Sequence, residues 1–285
     1  MNSVKNGLIL WFNFVLPALL PFMISINLLK ATPFPSLLSR LLGPVTNRIF
    51  GVSSFGIFAI VSGMLSGYPL GAKLVSELYS EKKLTKGEAQ YLLSFTNNSG
   101  PLFIAGTVGT GLLKSNTAGF FLLIIHYISA LSIGILLPKP KGKITGLSQT
   151  NSLNIGKELK NSIYNGIEAI VLVGGYIIFF SIICTILQSV LAQFNLNIFL
   201  KAIIFGILEI TNGCKELTEI SRLSLSIISA IIAFGGLSIH SQSIGYISST
   251  DLSSVKYVFS KFIQGILAFI ICFLLYPLYT QQGCR

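Results

Sequence analysis

The sequence is poor in charged residues, and above all in acids. Only 10% of its 285 residues are charged, and Asp and Glu together number 9, whereas roughly 25% of a soluble domain is charged. Apolar stretches of roughly 17 to 25 residues, the length of a spanning helix, recur along the whole chain. The shortage of charge therefore argues against a soluble globular domain and predicts an all-α polytopic membrane protein.

The sequence also lacks the motifs of enzymes, metal sites and disulfide frameworks. It has 4 cysteines and 2 histidines, and no two cysteines form a C-x-x-C pair. It contains no G-x-S-x-G elbow, no H-E-x-x-H helix and no Walker A loop. We therefore predict that the protein is not an enzyme, has no cofactor or metal, and does not drive transport with ATP through this chain.

The net charge of +11 does not indicate a nucleic-acid partner. The basic residues lie in short segments between apolar runs, which is the usual pattern at the flanks of membrane helices. A basic stripe with interleaved aromatic residues, typical of nucleic-acid grooves, is missing. The predicted partner is the lipid bilayer.

One apolar run is interrupted where a membrane helix would be most buried. The segment "YLLSFTNNSGPLFIAGTVGTGLL", residues 91–113, carries Asn97, Asn98, Ser99 and Gly100 near its middle, followed by Pro101. Irregular backbone at membrane depth is tolerated only where it is buried in protein or lines a cavity. We interpret the segment as part of a binding site and expect its amides to face a wet cavity.

The order of elements occurs twice along the chain. A long helix, a short broken helix, a broken hairpin and a second long helix are followed by the same four elements. This order predicts a first membrane repeat over 1–137, a polar basic linker over 138–160 and a second membrane repeat over 161–285. Offsets of 142 and 139 residues align Gly71 with Gly213, Lys73 with Lys215, Phe95 with Phe234, and Ser99 with Ser238.

The repeat predicts a topology. If the segments 88–111 and 225–248 are re-entrant hairpins, broken near Asn98 and Leu237, each half crosses the membrane three times. The two halves are then inverted repeats, each with a broken helix and a re-entrant helical hairpin, as in secondary transporters with a midplane site. The positive-inside bias places the linker in the cytoplasm, although this topology puts the basic turn around Lys82 on the opposite side.

Half-helices that begin at the breaks are candidate ligand sites. In the first hairpin Asn98 or Ser99 would cap the helix and Pro101 would take its first position, with a counterpart around Ser238 and Ser241. Free N–H groups and the helix dipole at two such tips would bind the two carboxylates of a dianion. They would equally bind a neutral molecule rich in hydrogen-bonding groups, such as a nucleoside.

Ionisable residues near the breaks are further candidates. Lys73 and Lys215 are related by the repeat and either contribute to the site or extend to the membrane surface. Glu209 follows an apolar run directly and is the most deeply placed acid, suited to cation coupling or substrate contact. His240 lies among polar residues of the second hairpin, whereas His126 is interpreted as a packed, hydrogen-bonded histidine.

Three strings, "SGYPLGAKLVSEL", "FTNNSGPLFI" and "EITNG", resemble a known family. They are similar to the YlbJ-type sporulation integral membrane proteins, also called stage V sporulation protein V. These belong to the nucleoside-recognition or Gate group, related to concentrative nucleoside transporters. The resemblance implies the following motif residues here: Gly67, Tyr68, Pro69, Gly71, Lys73, Asn97, Asn98, Ser99, Gly100, Pro101, Glu209, Thr211, Asn212 and Gly213.

The resemblance also implies a function. A protein of this family is expected in the bacterial cell membrane, in the outer forespore membrane of a sporulating cell. There it would export dipicolinate, a small aromatic dicarboxylate, from the mother cell. Two alternatives stay open: a nucleoside carrier of the concentrative type, and a non-transporting scaffold or gate subunit, with homo-oligomers allowed. A ferrous-iron gate ranks last, because Cys214 alone is too few soft ligands.

Overall fold

The computed structural model describes residues 2–142 and 154–282, and every regular element in these two ranges is helical. Side-chain caps begin several of the helices, as at Ser53, Thr85, Ser115 and Ser221. The α-helices are α1 Asn2–Leu10, α2 Leu16–Lys30, α3 Phe34–Ile49, α4 Ser54–Ser66, α5 Leu70–Ser80, α6 Lys86–Thr96, α7 Asn116–Leu136, α8 Ile155–Leu191, α9 Ile198–Leu208, α10 Ile210–Lys215, α11 Arg222–Phe234, α12 Gly236–Ile247 and α13 Ser254–Gln282, and two π-helices cover Trp11–Val15 and Leu102–Leu112.

The length and composition of the helices fit a polytopic membrane protein. Four segments are long and apolar enough to cross a membrane: Asn116–Leu136, Ile155–Leu191, Arg222–Ile247 and Ser254–Thr280. Two bent pairs, α1 with α2 and α3 with α4, raise the number of candidate spans to at most 6. The prediction of an all-α membrane protein is confirmed.

The first helices pack antiparallel along α8, the first helix of the second half. The indole nitrogen of Trp11 donates a hydrogen bond to the carbonyl of Ile170 (2.9 Å). Gly7 lies against Ile178, and Gly166 lies against Ile24, so residue numbers rise in one segment as they fall in the other. Packing between the first helices and α8 therefore joins the two halves.

Two short helix pairs fold back on themselves. After the break at residues 67–69, α5 returns along α4, and Lys83 lies 5.0 Å from the ring centroid of Phe55 at the start of α4. In the second half α10 returns along α9, and Lys201 forms an ion pair with Glu216 (3.0 Å). Arms of at most 13 residues reach about 20 Å, short of a hydrocarbon core of about 30 Å. Both pairs are helical hairpins.

The segment broken at Asn97–Gly100 instead runs in one direction along the whole of α7. The Tyr91 hydroxyl donates to the carbonyl of Gly134 (2.5 Å), near the end of α7. The amide of Ser99 donates to Nε2 of His126 (3.1 Å), near its middle, and Gly109 lies against Gly119, near its start. We call α6 with the π-helix Leu102–Leu112 the first broken span.

The segment formed by α11 and α12 runs along α13 in the same way. Arg222 donates to the carbonyl of Phe273 (2.8 Å), and the Ser229 hydroxyl donates to the carbonyl of Ala268 (3.0 Å). At the other end of the contact, the ring of His240 in α12 lies 5.5 Å from the ring of Tyr257. We call α11 with α12 the second broken span.

These contacts correct the predicted topology. The breaks lie where the sequence predicts them, at Asn97–Gly100 and at Gly235–Gly236, close to Leu237. The prediction that 88–111 and 225–248 are hairpins was wrong, because α7 and α13 each pack along both arms of a broken span. Helix-breaking residues indicate where a helix ends but not which way the chain continues. The hairpins are formed by the short broken helices instead.

The corrected topology also places the basic turns. Lys86 at the start of the first broken span donates to Asp251 (2.8 Å), as does the Tyr79 hydroxyl (2.7 Å), and these bonds hold the pKa of Asp251 below its usual range. Lys139, just after α7, donates to the carbonyl of Arg48 (2.6 Å). We call this side of the molecule the basic end. The turn around Lys82 therefore lies on the same side as the start of the linker, not opposite to it.

Two predicted connectors are partly helical. Residues 30–53, expected to be a basic connector, contain α3, which meets α4 at 92°. Of the predicted linker 138–160, residues 143–153 lie outside the described ranges, and residues 155–160 form the first turns of α8.

Cysteine labelling can test the passage of the first broken span. In a Cys284→Ser background, single Lys86→Cys and Lys114→Cys variants should react with a membrane-impermeant maleimide from opposite sides of sealed vesicles. Lys139→Cys should react from the same side as Lys86→Cys. Labelling of Lys86→Cys and Lys114→Cys from one side would restore the re-entrant reading of 88–111.

Candidate functional site

The non-helical residues of the first broken span are completely packed in protein. Asn97 and Asn98 are 0% exposed and Ser99 is 2% exposed. The amide N–H of Ser99, freed by the break, donates to Nε2 of His126, which confirms that His126 is a packed, hydrogen-bonded histidine. The expectation of amides facing a wet cavity was wrong for this conformation, because neighbouring helices supply the hydrogen-bond partners that water would supply.

Asn97 joins three other elements through its side chain. Its Oδ1 accepts a hydrogen bond from the amide N–H of Ala72 at the start of α5 (3.2 Å). Its Nδ2 donates to Oγ of Ser243 in α12 (2.9 Å) and to the Tyr257 hydroxyl in α13 (2.8 Å). One amide therefore fixes the first hairpin, both broken spans and α13 relative to each other.

A lysine of α13 lies directly against the break. Lys261 is 0% exposed, and its Nζ donates to the carbonyl of Asn97 (2.7 Å), to Oε1 of Gln264 (2.5 Å) and to Oδ1 of Asn98 (3.4 Å). Nζ also lies 5.1 Å from the ring centroid of Tyr68. The ion pairs found among the described residues do not include Lys261, so neutral oxygens and a ring face surround its amine.

The tip of the first hairpin supplies a hydrogen-bond donor to the second break. The Tyr68 hydroxyl donates to the carbonyls of Ile232 (3.4 Å) and Ala233 (3.2 Å), which are among the carbonyls without intrahelical partners at the end of α11. The residue that follows α11, Gly235, has φ +97°, a left-handed conformation that is strained for residues with a side chain. A residue of the first half thus satisfies the broken backbone of the second.

The first hairpin meets the first broken span through glycine. Gly63, Gly67 and Gly71, spaced four residues apart, all face the chain between Thr96 and Gly100. A Cβ on Gly71 would lie 2.5 Å from the carbonyl oxygen of Thr96, and one on Gly67 would lie 3.1 Å from the amide nitrogen of Gly100. Larger residues would separate the hairpin from the break, and this accounts physically for the glycines of the "SGYPLGAK" string.

Glu209 lies at the tip of the second hairpin, where its carboxylate is already engaged. Its two carboxylate oxygens accept from the amides of Thr211 (3.0 Å) and Asn212 (2.9 Å) and so cap α10. Its backbone lies beside Gly236 at the second break. The structure therefore gives Glu209 a structural role, and Thr211 and Asn212 contribute to it through backbone N–H groups.

The two repeat-related lysines lie away from the loop 97–100. Lys73 forms an ion pair with Glu77 and lies 6.0 Å from the ring centroid of Tyr246. Glu77 also binds Lys30 of α2 (2.9 Å), so Lys73 belongs to an ion network that ties the hairpin to α2. Lys215 is exposed at the end of α10. The cation that contacts the break is Lys261.

The polar residues of α12 separate into two groups. His240 is 1% exposed and packs edge-on against Phe234 (4.6 Å) and Tyr257, so it joins the Asn97 cluster through Tyr257. Ser238 accepts from Gln242 of the same helix (3.5 Å), and Ser241 is half-buried. Of these three residues, His240 is connected to the first break, through Tyr257 and its hydrogen bond with Asn97.

The two half-helices that start at the breaks have no side-chain cap. Neither the π-helix Leu102–Leu112, which begins directly after Pro101, nor α12 donates a capping hydrogen bond from its first N–H groups to a side chain. The prediction that Asn98 or Ser99 caps the first of them was wrong, because Nδ2 of Asn98 donates to the carbonyl of Phe95 (2.6 Å) instead. Their positive helix ends consequently point toward the middle of the molecule without a neutralising side chain.

Sequence reasoning missed the partners that α12 and α13 supply. Ser243, Tyr257, Lys261 and Gln264 all bind the loop 97–100 or its lysine. Lys261 could have been found, since an ionisable residue four positions inside an apolar run is a functional candidate by default. Among the described residues, His, Cys, Asp and Glu form no group of three that could hold a metal ion.

Comparison with known proteins gives two matches. The model of the Gate family, described as nucleoside recognition, matches residues 13–116. The sporulation integral membrane protein YlbJ of Bacillus subtilis (strain 168) is 32% identical over 319 aligned positions, which cover 98% of this chain and 78% of that protein. No solved structure matches the chain.

The packing of Asn97 predicts a stability defect. Asn97→Ala would leave the Ala72 amide without its partner and would remove one hydrogen bond each from Ser243 and Tyr257, and each buried group left unsatisfied costs about 1–3 kcal/mol. We expect a clear fall in the Tm of the purified protein in detergent. Asn165→Ala, at an exposed position of α8, is the matched control and should leave Tm unchanged. An unchanged Tm for Asn97→Ala would show that the amide is free to serve a ligand.

Proposed function

Because this chain belongs to the family of the sporulation integral membrane protein YlbJ, we propose that it is a carrier of a small anionic metabolite. The proposed substrate is dipicolinate, exported from the mother cell across the outer forespore membrane. The integral membrane character follows from the candidate spans, and the substrate rests on the family resemblance together with the charge of the site.

The buried lysine at the break is the observation that carries the proposal. Lys261 is buried beside Asn97 and Asn98 without a carboxylate within ion-pair distance among the described residues. The uncapped N-terminus of the π-helix Leu102–Leu112 and that of α12 add partial positive charge. Such a site favours an anion over a neutral nucleoside, because only the anion compensates the buried charge.

The proposed carrier is built from two inverted repeats, and the contacts of the helix ends support this. The first broken span starts at the basic end, where Lys86 meets Asp251. The second broken span starts where Arg222 meets Phe273 near the end of α13, at the opposite end. The hairpin tips meet the breaks from opposite ends as well. Such paired discontinuous helices around a midplane site are typical of secondary transporters.

The proposed orientation places the basic end in the cytoplasm of the mother cell. Lys82, Lys83 and Lys86 lie at this end together with Lys139 and the start of the linker. With the corrected topology these basic turns all lie on one side, as the positive-inside bias requires. Dipicolinate would then enter from the basic end and leave at the opposite end.

A nucleoside carrier is the second candidate, and the Gate match over residues 13–116 favours it. The matched region includes the first hairpin and the first broken span. A nucleoside would use the amides of the loop 97–100 as hydrogen-bonding groups. It would leave the charge of Lys261 uncompensated.

Transport into liposomes separates the candidates. Vesicles containing the purified protein, preloaded with unlabelled substrate, should accumulate labelled dipicolinate by saturable counterflow and should not accumulate labelled uridine. Lys256→Ala, at an exposed position of α13, is the matched charge control and should transport like the wild type.

Two outcomes would overturn the proposed function. Saturable uridine counterflow without dipicolinate counterflow would identify a nucleoside carrier. Counterflow of neither substrate, with folded protein confirmed in the vesicles by its melting transition, would favour a non-transporting scaffold or gate subunit.

A further inference from the structure

Three oxygens form a small cage around Nζ of Lys261. They are the carbonyl of Asn97, Oε1 of Gln264 and, at a longer distance, Oδ1 of Asn98, at 2.7, 2.5 and 3.4 Å from Nζ. All three are uncharged, and one belongs to unwound backbone. In secondary transporters unwound backbone carbonyls at a broken helix coordinate the coupling Na⁺.

The amine of Lys261 already binds all three of these oxygens. A lysine ammonium has three N–H donors, and the three oxygens accept all of them. Lys261 is 0% exposed, and Nε2 of Gln264 donates to the same Oδ1 of Asn98 (3.3 Å), so the cage is closed on a second side.

We infer that Lys261 is a built-in cation that occupies the position of a coupling metal ion, so that the protein works without Na⁺. The role of Lys261 in ion coupling rests on the proposed carrier function. The position of its amine among the three oxygens does not. The tethered ammonium does what a bound ion would do: it holds the unwound backbone of the first broken span against α13. It also leaves one positive charge in the site when the substrate is absent.

The charge balance agrees with an anionic substrate. A carrier that binds Na⁺ with its substrate brings the compensating charge from solution at each cycle. Here the charge is covalently attached to α13 beside Asn97 and Asn98, so a carboxylate can be compensated without a co-transported ion. Lys261 is thus a positioning residue for the break as well as a determinant of ion coupling.

Thermal melting in different chloride salts tests the inference without a transport assay. The Tm of the wild-type protein should be the same in NaCl, LiCl and choline chloride at equal ionic strength. Lys261→Ala removes the ammonium and opens the cage, so its Tm in choline chloride should fall by several degrees. NaCl should restore part of this loss in a saturable way. Lys256→Ala, the exposed control, should match the wild type in all three salts.

Several results would overturn the inference. One is a saturable rise of the wild-type Tm with Na⁺, which would mean that a metal ion binds although Lys261 is present. Another is a Lys261→Ala variant whose Tm equals that of Lys256→Ala, or whose loss no monovalent cation restores, since Lys261 would then be dispensable or only a hydrogen-bonding clamp.

A second variant covers the case in which Lys261→Ala does not fold. Lys261→Gln keeps a neutral donor in the cage and should melt below the wild type, with a smaller response to Na⁺ than Lys261→Ala would show. If neither variant folds, the wild-type titration decides: a flat Na⁺ response supports the inference and a saturable one overturns it. Failure of dipicolinate counterflow leaves these melting results unaffected, so the two proposals fail separately.

Discussion

The fold depends on the requirement that backbone groups freed at a helix break find partners inside the protein. At membrane depth no water is available for them, and each unsatisfied group would cost several kcal/mol. Here the amide of Ser99 is bound by His126, the carbonyl of Asn97 by Lys261, and the carbonyls of Ile232 and Ala233 by Tyr68. Each of these partners comes from another part of the fold, so the breaks can exist only in the assembled bundle.

This requirement also makes the centre of the fold and the candidate site the same place. The hydrogen bonds that satisfy the backbone groups at a break are bonds that a ligand could replace. Asn97 shows most clearly that one group can serve either the fold or a ligand, because its amide binds α5, α12 and α13 at once. In the proposed carrier, substrate entry would exchange these bonds for bonds to the ligand, and a protonated Lys261 would favour an anion.

The sequence was sufficient to locate both breaks, because Asn-Asn-Ser-Gly-Pro and Gly-Gly interrupt apolar runs and end a helix locally, whatever packs around them. It was not sufficient for the direction of the chain after each break, which is set by packing against α7 and α13. The repeat suggested Lys73 and Lys215 as the charges of the site, although the sequence places Glu77 four residues after Lys73, where it can form an ion pair on the same helix face. Lys261 lacks a counterpart in the alignment and was missed, although its place in an apolar run was visible.

The glycine contact between the first hairpin and the first broken span has a mechanical consequence. Packed helices normally interlock through side chains, so that relative displacement requires rotamer changes and jumps between discrete arrangements. Gly63, Gly67 and Gly71 present backbone without side chains to the chain between Thr96 and Gly100, so no side chains of these residues interlock with the break. A shear displacement of the hairpin along the break would meet no interlocking side chains there, but it would break the bond from the Ala72 amide to Asn97 and strain the ion network of Lys73, Glu77 and Lys30.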